Sequence, residues 1–108
     1  MPSRPKRWKY RILYVGLDYA LTAFLKVTFN RLDCFVVRCP SGRLSYCLIE
    51  SEIKYSLLLF DEQLLDMTGK ELAEFARAVK HRKQIPILIV EKSDDLSVLA
   101  SEIVRLLG

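Results

Sequence analysis

Asp61 has the strongest claim to chemistry in this sequence. It follows Leu57, Leu58, Leu59 and Phe60, an apolar run too short for a free-standing helix, and such a run predicts a strand buried on both faces. A carboxylate directly after that strand stands at the carboxyl end of a sheet, where open α/β sheets place their ligand sites. Three other charged residues follow predicted strands and can reach the same end: Asp18 after the first, and Glu91 and Lys92 after the last. If Asp18, Asp61 and Glu91 converge, they can hold a hard cation through oxygen ligands. If they do not, Asp61 is a loop aspartate with one basic neighbour, Lys92, which itself reads equally well as a plain surface lysine.

Other chemistries find little support. His81 is the single histidine and sits among Lys80, Arg82 and Lys83 near a predicted helix end, where a solvated cluster offsetting the helix dipole is expected. That isolation argues against hydrolase triads and histidine-rich metal centres. Cys34, Cys39 and Cys47 are odd in number and lack CxxC spacing, so reduced and mostly buried thiols are expected in place of disulfides or zinc. No glycine-rich phosphate loop follows the first strand, which counts against nucleotide cofactors. No apolar run approaches the roughly 18 residues that cross a bilayer, and the N-terminus lacks a signal-peptide core. The expectation is a cytoplasmic protein that is not an enzyme and has no membrane partner.

Positive charge is concentrated at one end. Arg4, Lys6, Arg7, Lys9 and Arg11 supply five of the 17 basic residues, while the remaining 12 face 13 acidic ones. Residues 1–10 therefore read as a basic arm and 11–108 as one domain, since a chain of 108 residues makes one core and not two. With Trp8 and Tyr10 interleaved, the arm can touch nucleic acid or an acidic partner. The plainer reading is a solubilising tail or a lead-in that braces the first strand, and a nucleic-acid partner is not expected.

The elements that must position Asp61 alternate along the chain. Arg11 to Val15 predicts a strand, and Leu21, Phe24, Leu25 and Leu32 fall on one face of a helix from Tyr19 to about Leu32. Phe35 to Val37 predicts a second strand, closed by Pro40, Ser41 and Gly42. A short helix from Leu44 to about Ser51 follows, with Leu44, Cys47 and Leu48 on its buried side. Thr68 caps a third helix carrying Leu72, Phe75, Ala76 and Val79, and Ile85 to Val90 predicts a strand with Pro86 near its tolerated start. Asp94 or Asp95 caps a last helix striped by Leu96, Leu99, Ile103 and Leu106. Strands separated by helices run parallel, and right-handed crossovers predict a doubly wound three-layer sandwich with the first and third strands adjacent.

The run ILYVGLD, then GRLSYCLIESEIKYSLLLFDEQLLDMTGKELAEFARAVK, then IPILIV, resembles the receiver domain of two-component response regulators over roughly residues 11 to 92. The helix from Asp95 to Leu107 resembles that family's last helix. The resemblance implies a flavodoxin-like fold whose parallel sheet has four strands, or five. It places Asp61 on the phosphoacceptor position, Gly69 on the glycine opening the next helix, and Lys92 where the family keeps a lysine that pairs with the phosphoryl group.

Three departures accompany it. The acidic pair that helps hold the family's divalent cation falls on Gly16 and Leu17, with Asp18 one residue later. The small hydroxyl residue after the fourth strand is replaced by Glu91, whose carboxylate would repel an aspartyl phosphate. The residues between IPILIV and the last helix are also too few for another helix and strand, so IPILIVEK serves as fourth and fifth together and exposes an apolar edge that invites a second copy or a partner. The resemblance thus implies a degenerate signalling module acting through protein contacts, with a histidine kinase or output protein as partner and a homodimer in view. The alternative is an active phosphoacceptor that uses Asp61 with magnesium in a phosphorelay.

Overall fold

The computed structural model describes residues 8–92 and 94–108. Arg4, Lys6 and Arg7 of the basic arm lie outside them. Four strands alternate with four helices: β1 (Tyr10–Val15), α1 (Tyr19–Asn30), β2 (Cys34–Cys39), α2 (Gly42–Glu50), β3 (Leu57–Asp61), α3 (Gly69–Ala78), β4 (Ile87–Val90) and α4 (Leu96–Leu107). A single 3-10 turn, Lys80–Arg82, follows α3.

All strand pairs are parallel, and the order is β2-β1-β3-β4. The expected doubly wound sandwich is therefore present with four strands, and winding reverses between β1 and β3. Alternation along β1 and β3 divides the core: Ile12, Tyr14, Leu57 and Leu59 face α1 and α4, while Leu13, Val15, Leu58 and Phe60 face α2 and α3. Leu57 to Phe60 are wholly buried, and each such side chain contributes about 1.5–3 kcal/mol of burial. β3 is thus the interior strand the apolar run required.

Caps fix the helix starts. Asp18, Ser41, Thr68 and Asp95 each accept a backbone N–H from the first turn of their helix. Of the two candidates for α4, the cap is Asp95.

Two helix faces differ from the sequence expectation. α1 ends at Asn30, so Phe29 completes its buried face and Leu32 is 48% exposed. The chain turns there through Asp33, whose φ of 55° redirects it into β2. α2 is rotated: Gly42, Ser45 and Ile49 face the core, whereas Leu44 and Cys47 are exposed. Its start is pinned by Asp66, whose two carboxylate oxygens accept from Gly42 N at 3.0 Å and Arg43 N at 2.9 Å.

The end of α2 is pinned by Arg82, which corrects the reading of residues 80–83 as a solvated cluster on α3. Arg82 is 2% exposed and donates from Nε to Ile49 O at 2.8 Å and from Nη2 to Ser51 O at 2.8 Å and Leu48 O at 3.3 Å. His81 Nε2 also lies 2.7 Å from Ser51 O, and since a carbonyl only accepts, this nitrogen carries the hydrogen. Both side chains serve the carbonyl end of α2, not α3. Lys80 and Lys83 stay exposed.

Candidate functional site

Asp61 ends β3 at the winding reversal, beside the loop that leaves β1. Its two oxygens are both engaged. Oδ1 accepts from Tyr14 Oη at 2.7 Å, and Oδ2 accepts more loosely from Leu17 N at 3.4 Å. Tyr14 Oη in turn accepts from Asp18 N at 3.2 Å. A short chain of hydrogen bonds therefore runs from the start of α1 through Tyr14 to Asp61.

Arg38 steadies the same loop from β2, donating to Gly16 O at 3.3 Å and lying 4.8 Å from the Tyr19 ring centre. On the far side, Glu62 N donates to Val90 O at 2.8 Å and Gly69 N to Glu62 O at 2.8 Å. Asp61 thus sits between two braced loops.

Burial raises the Asp61 carboxyl above the ordinary aspartate range; the bonds from Tyr14 and Leu17 oppose that shift, Asp18 adds to it and Lys92 counters it. Tyr14 is raised far above the usual phenol range, first by burial and then by the bond to Asp61. The pair therefore consists of a neutral phenol donating to a carboxylate that is costly to ionise. Because the folded pKa of Asp61 exceeds the unfolded one, its contribution to stability is present below about pH 3.9 and lost as pH rises through the folded value. Asp61→Asn, which cannot ionise, is expected to unfold at a higher urea midpoint than the natural protein at pH 7, the two midpoints converging toward acid. A lower midpoint for the variant at pH 7 would contradict this.

The other sequence-derived residues share the cleft with Asp61. Asp18, Asp61, Glu91 and Lys92 all line an opening of about 640 Å³. Asp18 Oδ1 is committed as the cap of α1, accepting from Leu21 N at 2.9 Å. Glu91 is exposed and its backbone N–H donates to Asp94 Oδ2 at 2.9 Å. Lys92 is exposed and acts on Asp61 through charge. Among the described residues no three histidine, cysteine or acidic side chains gather as a metal site.

The divalent cation that the resemblance implies does not fit these residues. Leu17 offers only its amide, and Gly16 has no side chain. A Cβ at Gly16 would overlap Asp61 Oδ2 and Tyr14 Oη, so the space a ligand at that position would need is already filled by the tyrosine hydroxyl. Tyr14 is the site residue that sequence reasoning missed. Its one local sign is an aromatic with a hydroxyl two residues before Gly16, on a strand otherwise apolar from Ile12 to Val15.

No protein-family model and no curated protein sequence matches the chain. Solved structures do. The non-phosphorylated receiver domain of HemR from Leptospira biflexa has a TM-score of 0.78 at 20% identity, covering 93% of this chain and 95% of that one. The chemotaxis response regulator CheY4 of Vibrio cholerae has a TM-score of 0.78 at 16% identity, covering 90% and 98%. The receiver domain of the sensor histidine kinase PA1611 from Pseudomonas aeruginosa, which has magnesium in its active-site cleft, has a TM-score of 0.75 at 17% identity, covering 92% and 98%. In fold, the chain is a receiver-like domain. No described helix is long and apolar enough to cross a membrane.

Proposed function

We propose that this chain is a signalling module of the receiver type that works through protein contacts and does not accept a phosphoryl group on Asp61. One observation carries the reading: both oxygens of Asp61 accept from the protein's own donors, with the Tyr14 hydroxyl and Asp61 itself in the space a side chain at position 16 would need. Phosphoryl transfer to a carboxylate requires a free oxygen in line and a cation to offset the developing charge. Tyr14 engages Oδ1 and Leu17 N caps Oδ2, which works against the first, and the empty positions at Gly16 and Leu17 work against the second. The module's partners are then a kinase or output protein recognised by shape and charge, in the cytoplasm, with no catalysis by this chain.

The test is intact-protein mass spectrometry after incubation with acetyl phosphate and magnesium. No adduct is expected. A gain of about 80 Da that disappears in Asp61→Asn would establish the active phosphoacceptor instead.

The sheet edge at β4 supports self-association as part of this reading. Leu58 N donates to Pro86 O at 3.0 Å and Glu62 N to Val90 O at 2.8 Å, so the alternate residues Ile87 and Ile89 turn their backbone groups away from β3. Ile89 is 38% exposed. Antiparallel pairing of Ile87 with Ile89 of a second copy would satisfy four of those groups. Sedimentation is expected to give twice the 12.5 kDa chain mass for the natural protein and the monomer mass for Ile89→Lys. A natural protein that sediments as a monomer at high micromolar concentration rules the pairing out.

A further inference from the structure

We propose that the free edge of β2 is a docking site for an acidic peptide segment of a partner protein, bound in extended form as a fifth strand. The inference rests on the reading of the chain as a contact module and names the surface that makes one of its contacts. β2 is the outermost strand on the side opposite β4. Tyr10 N donates to Asp33 O at 3.0 Å and Gly16 N to Cys39 O at 2.9 Å, which fixes the alternation of the ladder. Cys34, Val36 and Arg38 therefore direct their N–H and C=O groups outward, in the arrangement an added strand pairs with.

Along this edge, between Trp8 and the outer face of α1, runs a groove of about 580 Å³. Its apolar surface comes from Val27, Phe35 and Val36, of which Val27 is 71% exposed. Its charged wall comes from Lys26 and Arg31, and no acidic residue lines it. Neither cation forms an ion pair with a described residue. An apolar floor, two cations without an ion-pair partner among the described residues and a row of backbone groups that no described strand pairs with together call for a peptide with carboxylates and at least one apolar side chain.

A single-stranded nucleic acid meets the charge but not the rest. It has no backbone N–H to give the outward carbonyls. Trp8 and Phe35 also pack against each other, with ring centres 5.3 Å apart and planes tilted by 44°, so they do not present two open faces for bases.

Trp8 is the chain's single tryptophan, so its fluorescence reports on this groove and nowhere else. The probe is a synthetic peptide alternating glutamate and valine. It is expected to shift Trp8 emission to the blue saturably, with an affinity that falls about tenfold or more between low and high salt. Exchanging glutamate for lysine, or methylating every second backbone nitrogen of the peptide, is expected to abolish the shift. The double variant Lys26→Glu with Arg31→Glu, both exposed positions, is expected to weaken binding by about tenfold or more. No saturable shift, a shift with oligothymidylate but not the peptide, or unchanged binding by the charge-reversed variant would overturn the proposal. Any of those results would leave the mass measurement on Asp61 standing, because that experiment reads the other end of the sheet.

Discussion

Arg82→Ala is expected to remove about 3–5 kcal/mol of unfolding free energy, from the cavity a large buried side chain leaves together with a buried acceptor that loses its donor. Arg82 is almost fully buried, yet its partners are three main-chain carbonyls, of Leu48, Ile49 and Ser51, at the end of α2. They lie at the end of α2, where a helix runs short of internal donors for its last carbonyls. Removing the guanidinium takes from Ile49 O its side-chain donor, leaves Ser51 O to His81 and Leu48 O to Ser51, and opens a cavity above Tyr55, whose ring centre lies 4.9 Å from the guanidinium carbon. Arg82→Lys keeps the charge but not the planar fork, so it is expected to recover less than half of the loss. Urea unfolding at pH 7 reads both variants, and a loss under about 1 kcal/mol for Arg82→Ala would contradict this account.

Gly69→Ala is expected to cost about 2–3 kcal/mol, although glycine there needs no unusual backbone angle. A Cβ at Gly69 would overlap the carbonyl oxygen of Asp61 and stand 3.1 Å from its carbonyl carbon. Both are main-chain atoms of the central strand, so relief requires α3 to move away from β3. Gly42 offers the contrast, because a Cβ there meets only the side chain of Met67, which can swing aside. Gly42→Ala is therefore expected to cost under about 1 kcal/mol. Equal losses at the two positions would mean that close approach of α3 to Asp61 is not what Gly69 provides.

What could be read in the sequence follows from which interactions are local. β3 and β4 declare themselves as short apolar runs, and Thr68 and the Asp94–Asp95 pair announce their helices, because a strand's burial and a cap's bond involve near neighbours in the chain. The phase of α2 is not local: Leu44, Cys47 and Leu48 make one apolar stripe and Tyr46 and Ile49 another, and only Asp66 and Arg82, from distant segments, decide between them. Arg82 reads as a surface cation until α2 is seen to end against it. At the site, Asp61 was legible as a carboxylate at a strand end, but its bond to Tyr14 spans 47 positions and leaves no pattern in the sequence. Burial is what chiefly raises Asp61, with the Asp18 carboxylate adding to it.

The site also differs from a metal-dependent phosphoacceptor in a way that one substitution does not reverse. Tyr14→Phe would free Oδ1 of Asp61, yet Gly16 and Leu17 would still offer no carboxylate. Loss of the hydroxyl would also leave Asp18 N without its present acceptor. The tyrosine is therefore part of how the loop after β1 is held as well as what covers Asp61.

The most direct measurement is a two-dimensional amide NMR titration of the natural protein with magnesium, followed by beryllofluoride as a phosphoryl mimic. If Tyr14 and Leu17 N hold Asp61 as described, the amide signals of Leu17, Asp61 and Glu62 stay in place through millimolar additions. Saturable shifts centred on those three residues would show that Asp61 takes a cation and a phosphoryl group after all.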